Sequence, residues 1–544
     1  MVTGIQLILM RLLYIQKNSK LLAKLSYTSK GFLSVLLLMQ FVGGCVSSYT
    51  KHNETFSAAY AKGESFYSDN LITYSVPNEY PQEGEPLFNI EINGKYTGVY
   101  SDFNAWKNWV SFGYFDFNPE KEVEIVITVA QPFKEYKLLP ESNGIVSTRK
   151  GNTICFKLKQ AGQFISLVLD DQYKGNTLHL FANPIDFHAP TASNDSLLYF
   201  GPGYHDLEKI YGIESLVLKD KNLYIAGGAV VNGTIRIDRS DGITVSGHGV
   251  LMKRKPNNLV LTANRSNNIN IEGIIICSQR NPGWTVGFSE SSDIRVSHAK
   301  VVSTRYASTD GFDFINSGNI HLSNVFIRAC DDAIAIKGLF RGNPEDGLPN
   351  ENMLFEHLQL WNDCNSTICL GAETRAKYYK NIHFRDIDVL FSYDDRDHHG
   401  KLDERSVMTI CSLDATFFSN ITFENIRVNR CERLICLTFK DNFWFGSIKG
   451  NQSVEGGIDH VTFRNISVAS CGESLLANEI LLNGWSKDGT PVKIINNITF
   501  NNVLREGILL TSENDAKFKT NNTQEETLVK NLIFIPGSST NPLQ

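Results

Sequence analysis

A basic face is missing from this chain. Its 52 lysines and arginines are outnumbered by 58 aspartates and glutamates, for a net charge of −6 and a pI of about 6.1. No stretch gathers cations into a stripe, which argues against a nucleic-acid partner. Methionine is scarce, with six residues in 544, whereas Phe, Tyr, Ile and Asn are plentiful. That balance favours strands and turns over helices. A membrane-spanning run is lacking as well: Phe32 to Val42 is apolar but too short to cross a bilayer. Cysteine follows no recognisable spacing. Cys155, Cys277, Cys330, Cys364, Cys369, Cys411, Cys431, Cys436 and Cys471 are scattered, mostly inside apolar stretches. Neither a metal spacing nor a disulfide framework emerges from their sequence positions, and they read as small buried hydrophobes. No metal or cofactor is expected.

What is present begins with a targeting signal. Lys17, Lys20, Lys24 and Lys30 precede the short apolar run, which ends at Gly43-Gly44-Cys45. A basic region, an apolar core and small residues make a secretory signal. Ending on cysteine resembles a bacterial lipoprotein signal, so residues 1–45 are expected to direct export, with Cys45 carrying a lipid. An ordinary signal peptide or an uncleaved anchor are the alternatives, and translation starting at Met10 would shorten the basic region. The expected location is the cell envelope or the medium, with membrane contact only through the lipid.

Residues 46–190 read as a β-sandwich. Leu87 to Ile92 and Val123 to Ile127 alternate apolar and polar residues and are separated by turn formers. Trp106, Trp109 and Phe112 in this unit are either sugar-stacking residues or core aromatics.

Residues 191–544 follow a different rule. Asn and an aliphatic residue recur, with pivots at Ile243, Ile269, Ile294, Ile320, Met353, Ile382, Ile421, Val461 and Ile498. The first gaps are 26, 25 and 26 residues, and later ones 33, 29, 39, 40 and 37. A fixed period with later insertions marks a solenoid. Because the apolar residues alternate rather than recur at helical spacing, the coil is a parallel β-helix, and the chain all-β. The late insertions predict loops walling one side.

Three aspartates fall about one coil apart. Asp310 lies in Ser308-Thr309-Asp310-Gly311, and Asp331 and Asp332 open DDAIAIKG, 21 and 22 residues further on. Carboxylates on adjacent coils share one face, and such a cluster suits acid/base cleavage of a glycosidic bond. Close carboxylates cannot all ionise freely, so one retains a proton and another activates water. Asp332 has the strand parity of Ile334 and Ile336, which point inward. Both members of the doublet therefore face outward only if they occupy a turn or bulge before the strand.

STDGFDF followed by CDDAIAIKG resembles the polygalacturonase family of glycoside hydrolases, family 28, and its family 49 relatives, the dextranases and isopullulanases. Asn281 to Val286 (NPGWTV) and Ile225 to Gly233 extend the likeness over roughly residues 198 to 510. A β-sandwich before the helix is similar to the dextranase arrangement. The resemblance implies a right-handed parallel β-helix and hydrolysis with inversion of a polysaccharide or oligosaccharide. Asp331 would be the acid, with Asp310 and Asp332 holding the water as base.

Two features of that family are absent. Its Gly-His-Gly falls where this chain has Asn365-Ser366-Thr367, while Gly247-His248-Gly249 lies upstream of all three aspartates and reads as a turn. Its Arg-Ile-Lys, which binds a galacturonate carboxylate, has no counterpart beyond Arg405. A neutral or otherwise substituted sugar therefore gains weight over galacturonan. Further candidates for the substrate site are Trp284 as a sugar platform, Lys337 with the outward parity of Asp331, and Glu373 and Arg375 in GAETRAK. His399 or His398, in the insertion from Tyr393 to Arg405, could supply the missing imidazole. Competing readings are a dextranase-like α-glucan hydrolase, a lyase with calcium on Asp394, Asp395 and Asp397, and a surface glycan-binding protein without catalysis.

Overall fold

The computed structural model describes residues 64–82, 86–253, 259–279, 283–305, 308–393, 405–441, 452–471, 479–515 and 517–537. Cys45 and the rest of the expected signal segment lie outside these residues, as do His398, His399, Asp394, Asp395 and Asp397.

Two mainly antiparallel sheets form the N-terminal β-sandwich. Phe88–Ile92 and Val123–Val129 bury every second residue, as their sequence alternation predicts, and pair with each other. In the other sheet Thr177–Pro184 runs parallel to Trp109–Phe117 over eight residue pairs.

From Leu197 onward the chain winds into a right-handed parallel β-helix, with strands in a 20-stranded and an 11-stranded sheet. The repeat read from sequence is the register of the coil. Ile269 pairs with Ile294, Ile294 with Ile320, Ile320 with Met353, and Met353 with Ile382. Ile382 pairs with Ile421, Ile421 with Val461, and Val461 with Ile498. Each of these pivots is buried.

The residue before the pivot explains the recurrent Asn. Asn319, Asn352, Asn381 and Asn420 have φ of 54°, 56°, 56° and 54°. Asn tolerates this left-handed corner better than other side chains with a Cβ. Their amides also stack: Asn352 donates to Asn319 at 3.3 Å, Asn381 to Asn352 at 3.1 Å and Asn420 to Asn381 at 2.7 Å. Inside the coil Phe355, Phe384, Phe423, Phe463, Phe500 and Phe534 stack with centroids 4.6–5.4 Å apart, close to the spacing between strands.

Segment 340–349 follows Ile334–Leu339, a strand of the 11-stranded sheet.

Sandwich and coil share a core. Tyr100, Phe112 and Phe181 from the first meet Phe326, Trp361 and Phe391 from the second, with Trp106 packed against them. Phe112 and Trp106 are therefore core aromatics. Arg328 is wholly buried, pairs with Asp363 at 3.1 Å and donates to Thr177 across the boundary at 2.5 Å. His248 belongs to the same boundary: its Nδ1 lies 2.6 Å from Asp116 of the sandwich.

Candidate active site

Asp310 and the doublet occupy the same corner of consecutive coils, just before strands of the 11-stranded sheet. Asp310 precedes Phe312–Ile315, and Asp331 and Asp332 precede Ile334–Leu339. The doublet is therefore in a turn, the arrangement its parity required. The backbone locks this corner rung by rung. Gly311 N donates to Asp332 O at 2.9 Å, and Ala333 N to Ser366 O at 3.2 Å. A Cβ on Gly311 would sit 2.4 Å from the Ala333 carbonyl oxygen, so glycine after Asp310 lets the coils close up.

Lys337 organises the acids. Its ammonium donates to Asp310 Oδ2 at 2.7 Å and lies 2.9 Å from Asp313 Oδ1. The second approach is an ion pair with a wholly buried carboxylate. The Trp284 ring covers the same ammonium, with its centroid 3.8 Å from Nζ. Lys337 thus engages Asp310 and Asp313 rather than Asp331, the residue its strand parity suggested.

Burial pushes Asp310 and Asp332 well above the ordinary carboxylate range. Neighbouring acids add to this, and Lys337 opposes it without cancelling it. Asp313 is raised by burial to about 6, again against the pull of Lys337. Burial alone would lower the Lys337 ammonium, but Asp310, Asp313, Glu373 and Asp332 together raise it well above an ordinary lysine. The corner is therefore a cation among acids that hold protons more tightly than usual.

Asp331 differs from its neighbours. It is half-buried, whereas Asp310 and Asp332 are buried. Its Oδ1 accepts from Asp332 N at 3.0 Å and from the Asn365 side chain on the next coil. The Asn362 amide donates to its carbonyl oxygen. Asp332 Oδ1 in turn accepts from Ser366 N at 3.2 Å. The Ser366 hydroxyl is turned away into a hydrogen bond from Thr409 at 3.0 Å and is buried.

The remaining candidates separate into two groups. Trp284, Lys337 and, through its charge on Asp332 and Asp313, Glu373 stand with the aspartates. Arg375 instead pairs with Asp414 at 2.8 Å. Arg405 is buried two coils beyond Asp332 and donates to the Cys364 carbonyl at 3.1 Å.

Two residues of the corner were not singled out in the sequence. Asp313 alternates with Phe312 and Phe314, which enter the core, so its outward parity carried the signal. Asn365 lies on the coil after the doublet, and no feature of its spacing marks it.

Carboxylates gathered on one corner of a β-helix are of the kind that acid/base cleavage of a glycosidic bond requires. Residues 212–345, which contain all three aspartates, match the model of glycosyl hydrolases family 28. The chain is polygalacturonase-like, an O-glycosyl hydrolase in class. Dex49A from Penicillium minioluteum has the same fold, with a TM-score of 0.57 at 13% identity over 87% of this chain and 100% of that one. The family 28 exopolygalacturonase of Yersinia enterocolitica gives 0.44 at 11% identity, covering 78% and 98%. The polygalacturonase of Erwinia carotovora ssp. carotovora gives 0.37 at 14%, covering 60% and 87%. No curated protein matches the sequence.

Proposed function

We propose that this chain hydrolyses a polysaccharide or oligosaccharide with inversion, Asp331 donating the proton to the leaving oxygen and Asp310 and Asp332 holding the attacking water. The observation that carries the reading is the stacking of these three acids at one corner of consecutive coils. Asp331 is the most open of the three, as an acid reaching a glycosidic oxygen must be. Lys337 favours the anion of Asp310, which a base requires.

A neutral sugar suits the site better than galacturonate. Lys337 is committed to Asp310 and Asp313, and Arg375 to Asp414. A substrate carboxylate would have to displace one of those pairs. Trp284, half-exposed above Lys337, offers a flat face to a pyranose ring. The signal segment fits export of an enzyme acting on external glycan.

One observation favours the opposite assignment within the doublet. Burial pushes the Asp332 carboxyl upward, the property of a general acid. The experiment is a panel of dextran, pullulan, pectins and algal galactans assayed for new reducing ends, with product anomers followed by NMR. Asp331→Asn and Asp332→Asn are then compared on an aryl glycoside of the responsive sugar whose leaving group needs no proton. The variant lacking the acid recovers activity on that substrate, and the variant lacking the base does not. Retention of configuration, or full polysaccharide turnover by Asp331→Asn, removes the proposal.

A further inference from the structure

We propose that Cys330 and Cys364 form a disulfide that staples consecutive coils directly behind the acidic corner. Their Sγ atoms lie 2.9 Å apart although the residues are 34 positions apart in sequence. Strand register puts them there: Ala329 pairs with Asn362, and Asp363 N donates to Ala329 O at 2.9 Å. Neighbouring strands are about 4.8 Å apart, inside the Cα separation of about 4.4–6.8 Å that a disulfide spans. Both side chains are buried, so a bond between them needs little movement of the surroundings.

The bond requires an oxidant, and a small disulfide such as oxidised glutathione suffices. One cysteine thiolate attacks a glutathione sulfur, expelling one glutathione thiolate and forming a mixed disulfide. The second cysteine thiolate attacks the protein sulfur of that intermediate, forming the Cys330–Cys364 bond and expelling the second glutathione. Two electrons pass to glutathione, and the two thiol protons end on its two thiols. In the finished coil, contact with Cys364 and burial hold the Cys330 thiol well above its ordinary value. Exchange therefore belongs to the folding chain, before the two coils stack.

The position gives the bridge a consequence. Cys330 is followed by Asp331, and Cys364 by Asn365, whose amide donates to the Asp331 carboxylate. A covalent tie between the two turns holds donor and acceptor together. It also closes a loop containing the strand Ile334–Leu339 and the insertion after it, restricting the unfolded chain.

The test uses the full chain produced in an oxidising compartment and again in a reducing one. Each sample is denatured with an alkylating agent present, digested and mapped by mass. The oxidised sample is expected to yield a Cys330–Cys364 peptide that disappears on reduction, and a thermal midpoint a few degrees above the reduced sample. Cys364→Ser, or Cys330→Ala if that variant does not accumulate, is expected to show the lower midpoint from both sources. Complete alkylation of both cysteines in the oxidised sample overturns the proposal. So does a bridge confined to Cys431 and Cys471, a second pair of thiols in contact on neighbouring coils.

Discussion

Lys337 reaches back one coil to Asp310, donating from Nζ to Oδ2 at 2.7 Å, with both side chains almost completely out of solvent. The pair is one cation set against several buried acids, and its removal leaves those acids uncompensated. Lys337→Met is expected to cost about 3–5 kcal/mol of stability at neutral pH. The loss should be smaller in acid, where the carboxyls are already protonated. Denaturant unfolding at pH 4.5 and 7.5 checks this; an equal loss at both values contradicts it.

Asp313 gives a pH signature of its own. Its folded value is about 6 against an ordinary 3.8, so the folded protein binds this proton more tightly than the unfolded chain. The stability it contributes is fully present below about pH 4 and is lost as pH rises through about 6. Asp313→Asn has no such proton to lose. The stability of the wild type relative to this variant should fall by up to about 3 kcal/mol between pH 4 and pH 7. Parallel pH profiles for the two proteins would refute the shift.

Activity should carry the same direction. With Asp310 and Asp332 both raised by burial, the base becomes anionic only above the usual carboxylate range. The ascending limb of kcat/KM against pH is expected to lie above that range, where an exposed carboxylate would already be fully ionised. A rate already maximal at pH 4 would show that the base is neither residue.

The coil after the doublet allows a clean comparison. Asn365 touches Asp331 with its side chain, whereas the Ser366 hydroxyl is bound to Thr409. Asn365→Ala is expected to lower kcat about tenfold with little change in thermal midpoint. Ser366→Ala should cost about 1 kcal/mol of stability and leave kcat within about threefold. Steady-state kinetics beside thermal melts distinguish the two; the reverse pattern would make the serine the working replacement for the missing imidazole.

Asn352 tests why the repeat contains asparagine. At φ 56° a glycine is at ease and a β-branched residue is not. Asn352→Gly should be nearly neutral or lose a few tenths of a kcal/mol with its amide ladder, while Asn352→Val should lose about 1–3 kcal/mol. Similar losses for both would point to the ladder rather than the backbone.

These comparisons show which parts of the molecule could be read in one dimension. The coil was legible because every rung repeats the same requirement: a left-handed corner that favours asparagine, followed by an aliphatic residue facing inward. Ile320 and Met353 could be aligned through a gap of 33 residues because insertions leave that pair of positions untouched. The aspartates were legible as a cluster for the same reason. Their partners were not. Whether Lys337 meets Asp331, Asp310 or Asp313 depends on how its side chain crosses from one coil to the next, a direction that period and parity leave open. Arg375 illustrates the same limit: Glu373 was the nearest acid in sequence, but Asp414 on the following coil captures it.

The aromatic boundary between sandwich and coil bears on how such an enzyme can be taken apart. Phe326, Trp361 and Arg328 are covered by Phe181, His179 and Thr177, so trimming the chain near residue 190 would strip the coil of its wrapping. The trimmed piece would display a greasy flank with an ion pair at its centre and would clump rather than circulate. Anyone transplanting the acidic corner into another protein must therefore carry its upstream neighbour along, even though no residue of that neighbour has been placed at the acidic corner.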